Sequence, residues 1–270
     1  MILHWGPSPE IFSLGPLSIR WYGLLFASGF MIGYRIMDKV FRREGYNREH
    51  LDHLLLYLIL GTTIGARLGH CLFYEPEIYL RDPLRILAIW EGGLASHGGT
   101  LGNFFSLWLF VRRFKEFDYI WLIDRLSYPI ALVSCFIRLG NVMNSEILGK
   151  PTNSSWGVVF DHVDSIPRYP AQLFEAIIYL LTFFLMRYLY DKTKAWQYRG
   201  RMFGIFFCCI FGSRFFIELV KENQVPFENA LPLNMGQLLS IPFVLLGIGF
   251  IIYSRTHRVE PALTAKKKKK

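Results

Sequence analysis

The sequence predicts an all-α, polytopic integral membrane protein, on three observations. Hydrophobic residues make up 52% of its 270 positions and aromatics 17%, with a mean hydropathy of +0.28; that is too apolar for a chain whose whole surface faces water. Apolar windows of about 20 residues recur along it, the length a helix needs to cross hydrocarbon. Basic residues gather in alternate connecting loops, as expected of spans that cross back and forth.

The windows place seven spans, at 17–37, 51–74, 94–111, 121–141, 171–190, 202–220 and 235–253. Arg42, Arg43 and Arg48 follow the first, and Arg112, Arg113 and Lys115 the third. Arg187, Lys192, Lys194, Arg199 and Arg201 follow the fifth; Arg255, Arg258 and Lys266–Lys270 follow the last. The remaining loops are balanced, with Arg81 and Arg85 beside Glu75, Glu77, Asp82 and Glu91. The positive-inside rule then puts the N-terminus outside and the C-terminus in the cytoplasm, which an odd number of spans requires. Little is left for a separate soluble domain, so 1–270 reads as one helical domain. A small extracytoplasmic head comes from 75–93 and 142–170, and a basic cytoplasmic tail from 254–270. The first head segment is amphipathic around 80–90 and suits the membrane interface.

The net charge of +9 is read as a topology and anionic-lipid signal. The basic residues are split among loops rather than collected in a stripe, which argues against a nucleic-acid partner. Lys266–Lys270 reads equally as a juxtamembrane patch or an appended tail. Cys71, Cys135, Cys208 and Cys209 lie in apolar spans without a CxxC pair, so neither disulfide nor metal site is expected, and no cofactor motif appears. The turn-rich, nearly uncharged leader Gly6-Pro7-Ser8-Pro9 does not read as a signal peptide.

Polar groups inside apolar windows carry the chemistry. Arg138-Leu139-Gly140-Asn141-Val142-Met143-Asn144-Ser145-Glu146-Ile147-Leu148-Gly149 follows directly on an apolar run. An arginine at mid-bilayer costs roughly 2.5–3.5 kcal/mol on insertion scales, so such a group marks function by default. Arg138 and Asn141 share a face if the helix continues, and a guanidinium fork matches phosphate oxygens. Glycines at 140 and 149 permit a break that presents Asn144 and Glu146; a packing network is the competing reading. Arg214 and Glu218 are one turn apart, with Lys221 three further. A structural ion pair is the rival there. Arg67, in Gly65-Ala66-Arg67-Leu68-Gly69, is a third deep cation. Three deep arginines against one clear acid, Glu218, favour an anionic ligand such as a phospholipid head group, with Glu175 a further candidate partner. His97 opens the third span in Ser96-His97-Gly98-Gly99. Histidine as a residue type, with a reference pKa of about 6.5, can take up a proton at physiological pH, and the glycines allow close approach; a hydrogen-bonded histidine at a helix entrance is the plain alternative. Trp21 and Tyr22 suit either an aromatic belt or a site.

Taken together, these motifs resemble the bacterial prolipoprotein diacylglyceryl transferase family. The resemblance is carried by Trp21-Tyr22-Gly23, Gly65-x-Arg67-Leu68-Gly69, Glu91-Gly92-Gly93-Leu94 with His97-Gly98-Gly99, and the stretch from Arg138 to Gly149. It continues through Arg168-Tyr169-Pro170-x-Gln172-Leu173-x-Glu175, Arg214-x-x-x-Glu218 and Met235-Gly236-Gln237-Leu238-Leu239-Ser240-Ile241-Pro242. It implies seven spans in a bacterial plasma membrane. It also implies transfer of a diacylglyceryl group from phosphatidylglycerol to the lipobox cysteine thiol of a preprolipoprotein, forming a thioether and releasing glycerol phosphate. The acceptor thiol belongs to the substrate.

On that resemblance His97 is the first candidate for the base, with Glu146 or Glu218 as alternatives. Arg138 and Arg214 are expected on the lipid phosphate. Asn141, Asn144 and Glu146 are expected on the glycerol head group or peptide, Tyr22 on the donor, and Arg67, Gly98, Gly99 and Gly149 around bound substrate. Two positions depart from the family pattern. Ile210 stands four before Arg214, where tyrosine is common, and Lys221 stands where arginine is frequent; lysine keeps the charge without the bidentate fork. From other classes, a phospholipid transporter or scramblase explains buried arginines but makes less use of His97, and no paired broken helices suggest alternating access. A passive scaffold leaves the cost of Arg67, Arg138 and Arg214 unexplained.

Overall fold

The computed structural model describes residues 1–14, 17–88, 93–222 and 232–258. Glu91, Gly92 and Lys266–Lys270 lie outside the described residues. Each predicted span corresponds to a long helix: α1 (Trp21–Glu44), α2 (Arg48–Phe73), α4 (Ser96–Arg113), α5 (Tyr119–Met143), α6 (Ala171–Lys192), α7 (Arg201–Ile217) and α8 (Met235–Ser254). A short helix α3 (Pro76–Arg81) and a 3-10 turn (Pro83–Leu87) follow α2. Four of the helices, α2, α5, α6 and α8, are long and apolar enough to cross a membrane by length and composition. The class is helical and multi-pass.

Four short strands, β1 (Ile2–Trp5), β2 (Glu10–Leu14), β3 (Leu17–Arg20) and β4 (Gly157–Phe160), add to the helices. The expected start of the first span at Leu17 is therefore corrected: 17–20 is a strand of the β2–β3 hairpin, and the helix begins at Trp21. The sixth span ends earlier than expected, because the α7 helix stops at Ile217 and 218–220 form a turn.

The chain falls into two compact units, one comprising Asp38–Leu122 and the other Met1–Met37 with the chain from Ile123 onward. In the Asp38–Leu122 unit, Asn47 caps α2 by accepting from the Glu49 amide at 3.3 Å. The glycines at 61, 65 and 69 of α2 then meet those at 98 and 102 of α4 so closely that a Cβ on Gly98 would collide with the Gly65 carbonyl oxygen. Small residues let helices approach in this way where no hydrophobic drive separates helix from lipid. A Thr62–Asn103 hydrogen bond, 2.9 Å from Asn103 Nδ2 to Thr62 Oγ1, crosses the same seam. At one end of the unit Phe41, Tyr46, Phe117 and Trp121 cluster, with Tyr46 and Phe117 stacked at 4.6 Å. Trp121 Nε1 donates to the buried Glu44 carboxylate at 2.7 Å, so its polar tip is satisfied inside the cluster.

In the other unit, β1 pairs in parallel with β4, Ile2 opposite Gly157 through Trp5 opposite Phe160. Leu148, Val158 and Phe160 form a small apolar core with Trp5. Trp5 Nε1 donates to the Val142 carbonyl at 3.0 Å, tying this head to the end of α5. Asp124 and Arg125 of α5 are buried as a pair at 2.7 Å. Asp124 also accepts from the Phe203 amide at 2.9 Å, capping the N-terminal turn of α7. The α8 helix opens with a capping box between Asn234 and Gln237.

Candidate active site

In the unit that contains α5, α6 and α7, the polar residues converge around the end of α5. The helix runs to Met143, so Arg138 and Asn141 do share a face, and Arg138 Nη1 donates to Asn141 Oδ1 at 3.1 Å. Asn141 Nδ2 donates in turn to Glu146 Oε2 at 3.1 Å, and Asn144 Nδ2 to Glu146 Oε1 at 2.9 Å. The Glu146 carboxylate is thus exposed yet oriented by two amides. Its backbone is strained. Ser145 and Ile147, either side of it, have φ of 53° and 58°. Left-handed geometry at a non-glycine costs on the order of 1–3 kcal/mol, and for a β-branched residue is a true outlier. Such strain persists only where surrounding contacts enforce it.

Those contacts come from three sides. Gln172, fully buried in the first turn of α6, donates from Nε2 to the Glu146 carbonyl at 2.5 Å. The end of the loop pairs with the turn after α7: Lys150 N donates to Val220 O at 2.8 Å and Glu222 N to Leu148 O at 3.1 Å. Arg168 reaches Asp164 at 2.7 Å, Glu222 at 2.9 Å and the Gly149 carbonyl at 3.4 Å. The Arg168 guanidinium holds the Asp164 carboxyl below its ordinary value, and that hydrogen bond raises Arg168 in return. A Cβ at Gly149 would collide with the Tyr169 carbonyl, so the glycine expected near substrate is required by a neighbouring backbone. At Gly140 a Cβ would lie 2.6 Å from the Tyr22 ring, which places Tyr22 against the α5 segment that carries Arg138.

A chain of ion pairs lies beside this loop. Glu175, fully buried on α6, meets Arg138 Nε at 2.8 Å and Lys221 Nζ at 3.6 Å. Lys221 Nζ also lies 3.0 Å from Glu218 Oε1, and Arg214 Nε lies 3.3 Å from the same oxygen. Asn234 donates to the Glu218 carboxylate at 3.3 Å from the start of α8. Among the described residues, Nη1 and Nη2 of Arg214 hold no hydrogen bond, so its fork is uncommitted.

Among the described residues of this cluster, acids meet the cations one for one. Arg138, Arg214 and Lys221 face Glu146, Glu175 and Glu218, which formally balance. Glu175 is the acid that the sequence argument counted only as a possible partner; its place one turn inside an apolar helix was the available signal. Lys221, expected on the face of Arg214 and Glu218, also reaches Glu175 and so holds two carboxylates. Gln172 and Asn234 were missed, because each acts through a contact distant in sequence.

In the Asp38–Leu122 unit, His97 occupies the first turn of α4, exposed and with no hydrogen bond among the described residues. Beside it Gly98 is consumed by the seam with α2, whereas Gly99 makes only ordinary contact, 3.4 Å from Ala66 Cβ to an added Cβ. Arg67 is 2% exposed and its guanidinium donates to the carbonyls of Arg85 at 2.7 Å, Ile86 at 2.9 Å and Gly93 at 3.4 Å. It also lies 4.9 Å from the centre of the Tyr79 ring. Through these carbonyls Arg67 braces the segment after α2.

A family model described as prolipoprotein diacylglyceryl transferase matches residues 9–253. A phosphatidylglycerol–prolipoprotein diacylglyceryl transferase of Tolumonas auensis is 50% identical over 94% of this chain and 98% of its own. Proteins of the same name from Chloroherpeton thalassium and Bacteroides fragilis are 44% and 46% identical over 93% of this chain, covering 94% and 95% of their own lengths.

Proposed function

The chain belongs to the prolipoprotein diacylglyceryl transferase family, and from that premise we propose that it transfers the diacylglyceryl group of phosphatidylglycerol to the lipobox cysteine of a preprolipoprotein. The similarity to enzymes of that name along nearly the whole chain carries the proposal. In the proposed step, the acceptor sulfur attacks the glycerol carbon that bears the phosphodiester. The carbon–oxygen bond breaks, a thioether forms, glycerol phosphate leaves, and the thiol proton passes to a base. A thiol with a pKa of about 8.5 is a weak nucleophile until deprotonated.

His97 is proposed as that base, supported by its exposed ring. Glu146 and Glu218 are the alternatives. Arg214 and Arg138 are proposed to bind the phosphate and to stabilise the charge that grows on it as the bond breaks. Arg214 offers an open fork, and Arg138 is aimed by Glu175 and Asn141. Asn141, Asn144 and Glu146 are assigned to the glycerol hydroxyls or the peptide, and Tyr22 to orientation of the donor. Arg67, Gly98 and Gly149 are proposed as supports of the site rather than ligands, and Gly99 as room beside His97. The protein is proposed to sit in a bacterial plasma membrane, with seven spans, the N-terminus outside and the C-terminus in the cytoplasm.

The test uses purified protein in vesicles containing phosphatidylglycerol, with a lipobox peptide followed by mass spectrometry. The expected result is a gain of one diacylglyceryl unit, release of glycerol phosphate, and no reaction of a Cys→Ser peptide. His97→Asn and Arg138→Gln are expected to abolish the gain while leaving insertion intact. Labelled lipid that binds or exchanges with no mass gain would replace the transferase with a lipid transporter; full transfer by both variants would remove the assigned roles.

A further inference from the structure

We propose that Gln172 is a positioning residue for the transfer reaction, holding the strained Glu146 loop against α6 so that the Glu146 carboxylate stays on Asn141 and Asn144. The inference rests on the transferase reading above. Gln172 has no exposure, and its amide nitrogen donates to the Glu146 carbonyl at 2.5 Å. One turn further along α6, Glu175 holds Arg138 at 2.8 Å. Two residues of a single helix face therefore set both ends of the Arg138–Asn141–Glu146 hydrogen-bond chain. The bond is needed because Ile147, the residue after the one it fixes, stands at φ 58°, which a β-branched side chain does not favour; Ser145 at φ 53° is held by the closing bonds of α5, from Glu146 N to Asn141 O at 2.9 Å and from Ser145 N to Val142 O at 3.1 Å. Beyond the loop, pairing of Leu148 and Lys150 with 220–222 fixes the distal end only. Without Gln172 the peptide after Glu146 is free to relax toward negative φ, which rotates the carboxylate off its two amides.

The experiment compares wild type, Q172L, E146Q and the double variant as full-length protein in phosphatidylglycerol vesicles. Transfer kinetics and amide hydrogen exchange of 144–150 are both measured. Displacement of a reacting group by about 1 Å costs on the order of 100-fold, so Q172L is expected to lose 10- to 100-fold in kcat. Its loop should exchange at least tenfold faster, with the helices unchanged. Because Gln172 acts through Glu146, the double variant should match E146Q within about threefold. Adding I147G to Q172L should recover part of the rate, since glycine adopts φ near 58° without strain; a merely structural role would not respond.

Wild-type kcat and loop exchange in Q172L overturn the proposal, as do multiplicative losses in the double variant. If Q172L does not fold, Q172M, unbranched and closer in shape, repeats the test. Failure of both to fold also overturns it, by making Gln172 a residue of the core. If wild type itself transfers nothing, the transferase reading falls, and the exchange of 144–150 in Q172L still decides whether Gln172 holds the loop.

Discussion

Replacing Glu175 by glutamine keeps the shape and removes the charge that two cations share. Its carboxylate is fully buried; the Arg138 side chain is 15% exposed at 2.8 Å, and that of Lys221 4% exposed at 3.6 Å. At an effective dielectric of 20 these separations correspond to roughly 6 and 5 kcal/mol of gross attraction, most of which offsets the loss of water. What the substitution exposes is the uncompensated charge left behind, which costs about 3–5 kcal/mol when a buried pair loses one member. For a chain of this size that is a fall in Tm of about 6–20 °C. Thermal unfolding in a mild detergent measures it. Removing the cation as well should relieve the penalty, so R138M/E175Q should unfold at a higher temperature than E175Q alone. An E175Q Tm within about 2 °C of wild type, or a double variant whose loss is the plain sum of the singles, would refute the coupling.

Two further predictions concern the supports of the site. Gly98→Ala pushes a methyl into the Gly65 carbonyl across the α2–α4 seam and should destabilise by about 1–3 kcal/mol. Its neighbour Gly99→Ala, with 3.4 Å to Ala66, should cost under about 1 kcal/mol; equal Tm shifts for the two would dismiss the seam as the cause. In the head, the Asp164 carboxyl is depressed below 3.8 by Arg168, so the stabilisation it gives is present above that pH and disappears as pH falls through the depressed value. Hydrogen exchange of 160–170 should therefore accelerate selectively in acid. D164N should remove that dependence, and an unchanged acid profile in D164N would assign it elsewhere.

Much of the fold was legible because hydrocarbon imposes one length and one secondary structure on whatever crosses it. Where that constraint lapses, so does legibility. Leu17-Ser18-Ile19-Arg20 adjoins a true helix, and its alternation of apolar and polar residues is too short to separate strand from helix; only pairing with Glu10–Leu14 decides it. Asp124 and Arg125 passed unnoticed inside an apolar window because they neutralise each other and cap α7, a partnership formed by folding. The close α2–α4 seam was visible only as glycines whose purpose the sequence left open.

At the site, the arginines and their partners one turn away, Glu218 for Arg214 and Asn141 for Arg138, were legible; contacts brought in by other elements were not settled, for a physical reason. A buried cation declares itself by its cost wherever it stands, but what meets it is chosen by the tertiary fold. Among the described residues Arg67 donates to the backbone carbonyls of Arg85 and Ile86, contacts that have no side-chain signature. Arg138 is met by Glu175 from another helix, and Lys221 brings together Glu175 of α6 and Glu218 of the turn after α7. Among the described residues the cations and acids of the cluster balance, so the affinity proposed for a phosphate does not rest on excess charge there. On that proposal it comes from geometry: among the described residues Arg214 holds one carboxylate oxygen through Nε and leaves its fork open, and Arg138 is fixed in place before any ligand arrives. It follows that E175Q, although it adds a positive charge to the cluster, should slow transfer rather than speed it. A faster E175Q would mean that net charge, and not aim, governs the lipid site.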